Sequence, residues 1–301
     1  MLSFEDIKHT YHGSSGDVEA LAGLTLTVEA GEPLALIGPS GCGKSTALLL
    51  AAGLLVPTGG SVRVAGRPLA KPRFATGLIL QDFGLLPWKT VFANAELGLR
   101  IRHLPRADRE ERTRRTLEQV GLADFARNYP GELSGGMRQR LALARVLALE
   151  VDLLLMDEPL SAVDALLREG LQDLLLALWR ERGYAQVLVT HSIEEAVFLG
   201  RHIAVMAPRP GLVAALIDNP NMGVVDYRST SEFFATCRAV REALGEAESR
   251  VDSGGALQGG KPPQGGEALG VQGKPHQDGG ALQAEEAPRS EDEPHAGTSH
   301  A

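Results

Sequence analysis

The chain has 301 residues, 44% of them hydrophobic and 23% charged, with a formal net charge of −8. That is enough apolar material for one large domain or two smaller ones around a real core. No stretch approaches the roughly 20 uninterrupted apolar residues of a membrane-spanning helix, and the acidic balance argues against a broad nucleic-acid surface. The two cysteines, Cys42 and Cys237, stand far apart with neither metal-ligand spacing nor a disulfide framework. The start MLSFEDIKHTYHG carries acids where a signal peptide needs basic residues and an apolar run, so a reducing, cytoplasmic setting is expected.

Up to about residue 248, short apolar runs alternate with helical patterns, which predicts an α/β domain with a mostly parallel sheet. Strands are expected at 33–38, 77–81, 152–157, 186–191 and 202–207, each a continuous apolar run of the kind buried on both faces. Directly after the first comes GPSGCGKST, residues 38–46, which fits G-x-x-x-x-G-K-S/T between a strand and the helical run TALLLAAGLL. Gly38, Gly41 and Gly43, with Pro39, Ser40 and Cys42 between them, let backbone N–H groups curl around phosphates above a helix N-terminus. Lys44 reaches the β- and γ-phosphates of ATP, Ser45 offers a hydroxyl to Mg²⁺, and Thr46 a hydrogen bond on the α-phosphate side. Cys42 is a small residue where only backbone meets phosphate and is expected to have no catalytic role.

Between about 82 and 149 the pattern is helical. Within it lies ELSGGMRQRLALARVLA, residues 132–148, where Gly135 and Gly136 open a helix whose N–H groups can face an anion, with Ser134 adding a hydroxyl. Ser before a helix would by itself signal no more than a cap. The run LLLMDEP, residues 153–159, ends in two carboxylates at the edge of the sheet where ligands bind in parallel α/β folds. Asp157 can hold Mg²⁺, while Glu158 can polarise an attacking water. QVLVTH ends at His191, and Ser192 with Glu195 forms S-x-x-E, a capping box for the next helix. From Ser249 onward a Gly- and Pro-rich, acidic segment with near-repeats reads as a disordered tail.

LSGGMRQR at 133–140, lying between the phosphate loop and the acidic strand, resembles the signature sequence of ATP-binding cassette (ABC) proteins. The resemblance extends along almost the whole of residues 1–245. It implies a P-loop NTPase fold with a mostly parallel core sheet, an N-terminal antiparallel β subdomain and an inserted α-helical subdomain at about 82–149. The nucleotide-binding domain would span 1–248 and the tail 249–301. By the same resemblance Tyr11 stacks on adenine, although an aromatic near a strand end fits a core position equally. Gln81, closing the strand GLILQ, resembles the family's lever glutamine that touches Mg²⁺ and the attacking water. SAVD at 161–164 resembles the loop crossing to the other subunit, with Asp164 as its anchor, and His191 resembles the switch histidine on the γ-phosphate. Ser192 stands where the family usually has Asp, and Val163 where it usually has Leu; neither departure removes a reacting group.

The family's arrangement implies a head-to-tail dimer sandwiching two ATP molecules, its second ATPase subunit a copy of this chain or a related one. It implies a separate integral membrane permease, an external substrate-binding protein engaged indirectly, and a peripheral position on the cytoplasmic face of the inner membrane. DFGLLPW after Gln81 and APRPG at 207–211 resemble the ATPases of nitrate, sulfonate and taurine importers, a group that also handles thiamine-precursor pyrimidines. Two other classes fit these residues less well. A soluble ABC ATPase working on nucleic acid or the ribosome usually carries two cassettes or long coiled-coil insertions, whereas this chain has one cassette and no basic stripe. A phosphate-loop kinase leaves LSGGMRQR unexplained.

Overall fold

The computed structural model of the chain describes residues 1–14, 16–161, 163 and 165–252. Contacts divide the chain into Met1–Gln258 and Gly259–Ala301, and every described residue belongs to the first unit. The segment expected as a tail lies almost wholly outside the described residues.

The strands in chain order are β1 (Leu2–Gly13), β2 (Gly16–Val28), β3 (Pro33–Ile37), β4 (Gly59–Val64), β5 (Arg67–Pro68), β6 (Thr76–Ile79), β7 (Leu153–Asp157), β8 (Ala185–Thr190), β9 (His202–Met206) and β10 (Val213–Asp218). The helices are α1 (Lys44–Ala51), α2 (Val91–Ile101), α3 (Arg106–Gln119), α4 (Gly135–Leu147), α5 (Ala165–Arg182), α6 (Ile193–Leu199) and α7 (Ser231–Asp252). The last helix continues past residue 248, where the domain was expected to end.

Two sheets result. An antiparallel sheet has the order β2-β1-β4-β5, and a six-stranded sheet the order β10-β9-β3-β8-β7-β6. In the second, all five expected strands run parallel and only β10 is antiparallel, at the edge. β3, β7 and β8 are buried along their whole length, as their unbroken apolar runs require.

Alternation along these strands sorts the core into two layers. Leu34, Leu36, Leu153, Leu155, Val187 and Val189 pack on one face, against α1 and the antiparallel sheet. Ala35, Ile37, Leu154, Met156 and Leu188 pack on the other, against α4, α5, α6 and α7. A smaller core, including Val91, Leu117, Leu133 and Leu141, holds α2, α3 and α4 together. Among the described residues no helix is long and apolar enough to cross a membrane.

One expected strand end is corrected. β6 stops at Ile79, so Gln81 does not close it but lies in the exposed turn that follows. The chain reverses there because Phe83 adopts φ 61° and Gly84 φ 53°, with the Phe83 N–H donating to the Leu80 carbonyl at 2.9 Å.

Candidate nucleotide site

The phosphate loop joins β3 to α1 and depends on glycine where the backbone turns or is crowded. Gly41 has φ 79° and Gly43 φ 93°, left-handed conformations that cost other residues. At Gly38 an added Cβ would lie 2.8 Å from the Met206 carbonyl oxygen, and at Gly43 2.7 Å from that of Ala20. Lys44 is buried, its Nζ donating to the carbonyls of Gly38 at 2.7 Å and Pro39 at 2.9 Å. Ser40, Gly41 and Ser45 are exposed, while Cys42 and Thr46 are buried. Burial raises the Cys42 thiol pKa above its ordinary value, against the opposing charge of Lys44.

Tyr11 reaches this loop from β1. Its ring is 41% exposed, packs edge-on against His9 with centroids 4.7 Å apart, and places its hydroxyl 3.2 Å from Thr46 Oγ1. It therefore lies beside the start of α1, exposed and not in the core.

Asp157 ends β7 and is nearly buried. Its carboxyl pKa is raised, chiefly by burial and further by the Glu158 charge, while a hydrogen bond with Ser45 and the Lys44 charge oppose the rise. The Ser45 hydroxyl and the Asp157 carboxylate thus meet as two hard oxygen donors. No group of three or more His, Cys, Asp or Glu suited to a metal occurs among the described residues. This donor set fits Mg²⁺, which keeps several waters and takes the rest of its shell from phosphates.

Glu158 breaks the strand's alternation. Its φ is 45°, an uncommon value for a residue with a Cβ. Its N–H still donates to the Val189 carbonyl at 2.9 Å, and its carbonyl accepts from the Ser161 hydroxyl at 3.0 Å. The side chain meets His191, whose Nδ1 lies 3.2 Å from Glu158 Oε2. The structure thus gathers Tyr11, the phosphate loop, Asp157, Glu158 and His191 at the carboxyl ends of the interior strands β3, β7 and β8. Asp164 lies outside the described residues.

Ser134, Gly135 and Gly136 are placed elsewhere. Ser134 caps α4, its Oγ accepting from the Met137 N–H at 3.3 Å. Gly136 is buried so tightly that an added Cβ would sit 2.1 Å from Leu167 Cδ2. α4 packs through Ala142, Leu143, Val146 and Leu147 on the sheet face opposite to α1.

Sequence reasoning missed several supports. Arg145, near the end of α4, donates to the carbonyls of Gly84 at 2.6 Å and Phe83 at 2.5 Å, holding the turn after Gln81. Arg209 donates from Nε to the Gly41 carbonyl at 3.3 Å. Gly211 bonds the backbone of Ala20 and Ala22 at 2.9 and 3.1 Å. The APRPG segment therefore lies against the phosphate loop, a role its residue types did not announce.

Comparison with known proteins agrees with this geometry. The profile described as ABC transporter matches residues 21–161. The chain is similar to the Taurine import ATP-binding protein TauB of Roseobacter denitrificans, 44% identical over 213 residues, or 70% of this chain and 80% of that protein. It is likewise similar to TauB of Pseudomonas aeruginosa, 48% identical over 193 residues, or 64% of this chain and 73% of that one. The dimeric ATP-binding cassette MJ0796 in its post-hydrolysis state with ADP and Pi superposes with a TM-score of 0.66 at 31% identity, covering 72% of this chain and 98% of that one. The cbiO1 subunit of Clostridium perfringens, part of the transporter complex cbiONQ, also gives 0.66, at 25% identity over 84% and 97%. The phosphate loop, the acidic strand and the glycine-opened helix α4, in this order and on this fold, make the chain a member of the ATP-binding cassette family, an ATP-hydrolysing subunit of an importer of the nitrate, sulfonate and taurine type.

Proposed function

We propose that two copies of this chain, bound head to tail, enclose two ATP molecules and drive a separate permease importing taurine or a related small sulfonate. The observation that carries the dimer is the division of the sheet: α1 lies on one face and α4 on the other. The start of α4 packs through Gly136 against Leu167 of α5, on the side away from α1, so a chain's own glycine-opened helix is badly placed to cover its own phosphate loop. A partner's can cover it.

In this reading Gly38 to Thr46 bind the phosphates, Tyr11 stacks on the base, and Ser134 to Gly136 of the facing copy contact the γ-phosphate. Ser45, Asp157 and Gln81 would hold Mg²⁺, which neutralises phosphate charge when bound. Glu158 orients and polarises water, His191 holds Glu158 and the γ-phosphate together, and Asp164 anchors the crossing loop in the partner. Loss of the shared γ-phosphate removes contacts that exist only in the closed state, so the dimer opens.

The turn at Gln81 is flanked by Phe74 and Trp88, 73% and 72% exposed. In this reading the region around Gln81 and the helical subdomain would dock the permease at the cytoplasmic face of the membrane. Cargo recognition is left to the permease and an external binding protein, and taurine follows from the names of the relatives. The test is reconstitution of the chain with its permease and binding protein in lipid vesicles. Taurine should raise ATP hydrolysis and accumulate inside; stimulation by nitrate and not by any sulfonate would overturn the cargo.

A further inference from the structure

The antiparallel sheet meets the phosphate loop at an irregularity in its own pairing. His9 of β1 stands opposite Leu21 of β2 and Thr10 opposite Glu19, so the register skips Ala20 on β2. A bulge of this kind bends its strand and re-aims the side chains beside it. The Ala20 carbonyl accepts from the Gly211 N–H at 2.9 Å and lies 2.7 Å from a Cβ built on Gly43. Leu21 crowds the same glycine, its Cδ2 also 2.7 Å from that Cβ. The bulge is thus the place where β2 rests on the phosphate loop, and there β1 carries His9 and Tyr11.

His9 is 7% exposed, and its Nδ1 is buried without a hydrogen-bond partner among the described residues. A buried polar atom without a partner is costly, so no bond at Nδ1 accounts for the placement of this ring. Its packing does. The His9 and Tyr11 rings stand 4.7 Å apart between centroids with 83° between their planes, the edge-to-face arrangement that aromatic pairs favour. A second contact holds Tyr11 at its tip, where the hydroxyl lies 3.2 Å from Thr46 Oγ1. The hydroxyl oxygen sits on the axis about which a tyrosine ring turns, and that torsion has a broad energy well. The Thr46 contact therefore fixes where the ring ends and leaves its tilt to the flanking contact with His9.

We propose that His9 is a positioning residue for Tyr11, setting the tilt of the ring on which the adenine base stacks. A flat base stacks well only on a ring that lies parallel to it, and a ring already held at that tilt loses less freedom on binding. The effect falls on the base and leaves the phosphates to the loop and Lys44. The proposal rests on the reading of Tyr11 as the adenine-stacking residue.

The test is calorimetric titration of the full chain, in Mg²⁺, with ATP and separately with tripolyphosphate, which carries the phosphates without ribose or base. His9→Leu fills much of the space without a ring, whereas His9→Phe keeps one. His9→Leu should weaken ATP binding roughly 3- to 10-fold and leave tripolyphosphate within about twofold of wild type. His9→Phe should retain the affinity for ATP, with a melting temperature at or above that of wild type because no polar atom is left buried. Equal losses for ATP and tripolyphosphate would reduce His9 to a support of the fold and overturn the proposal, as would wild-type ATP affinity in a folded His9→Leu protein. If His9→Leu folds poorly, His9→Phe decides: retained ATP affinity supports the proposal, and a loss confined to ATP overturns it, since the ring is still there. Tyr11→Ala is titrated alongside; wild-type ATP affinity in that variant would instead sink the base-stacking reading on which His9 depends.

Discussion

His191 Nδ1 stands 3.2 Å from Glu158 Oε2, joining the ends of two adjacent parallel strands, β7 and β8. Replacing Glu158 by Gln keeps the shape of that contact and removes the base. We expect ATP binding to persist, turnover to fall by about 100-fold or more, and ATP to trap a dimer. Light scattering at micromolar concentration should show a dimer with ATP and a monomer with ADP. Bound nucleotide with no change of state would contradict the shared-site arrangement.

A second expectation concerns pH and stability. Glu195 is pushed up from 4.5 to about 7, mainly by burial, while the Thr190 hydroxyl, Arg168 and His191 pull it down and Glu158 adds to the rise. Between those values the folded chain holds a proton that the unfolded chain has released. Stability therefore falls as pH rises from about 4.5 to about 7 and stays lower above that range. Glu195→Gln removes the effect, so its thermal stability should gain on wild type between pH 5 and pH 8, by up to about 3 kcal/mol. A difference independent of pH would show that Glu195 ionises normally.

The third concerns thiol chemistry. Burial raises both thiols, Cys42 despite Lys44 and Cys237 to about 11. The thiolate is the reactive form, so both should react with iodoacetamide at pH 7.5 far more slowly than in urea. Cys42→Ala should leave KM for ATP within about twofold of wild type. Rapid native labelling of Cys42, blocked by ATP, would point to an opening of the loop.

The fourth is steric. With Leu167 Cδ2 only 2.1 Å from a Cβ built on Gly136, Gly136→Ala must displace the Leu167 side chain of α5. Overpacking of this kind costs about 1–3 kcal/mol, and a lower melting temperature with weakened ATP-dependent dimerisation is expected. Adding Leu167→Ala should recover the stability; failure to do so would place the strain elsewhere.

What could be seen in the sequence follows from the range of each interaction. The five parallel strands were legible because burial on both faces leaves an unbroken apolar run, and the phosphate loop because its chemistry is confined to nine neighbouring residues. The end of β6 was misplaced by the apolar Leu80, which extends the run although the turn at Phe83 and Gly84 has already drawn the chain out of the sheet. Arg145 and Arg209 were invisible because each acts on a loop carbonyl far away in sequence. Ser192 caps α6 as expected, but Glu195 does not complete the capping box: its side chain accepts from the Thr190 hydroxyl instead of the Ser192 N–H, and its burial comes from packing against segments that no local pattern reveals.

The two-layered core gives β7 a property beyond support. Leu153 and Leu155 share the layer containing α1, Leu154 and Met156 the layer containing α4, and Glu158 leaves the series by its left-handed backbone. Register in such a strand is a matter of phase: one residue inserted or deleted upstream exchanges every side chain between layers. Substitutions among Leu, Ile, Val and Met should thus be tolerated at many sites here. A change of length by one would turn Asp157 away from Ser45 and set the acid of one layer into the apolar packing of the other, which makes the spacing between strand start and carboxylates as much a part of the machine as the carboxylates themselves.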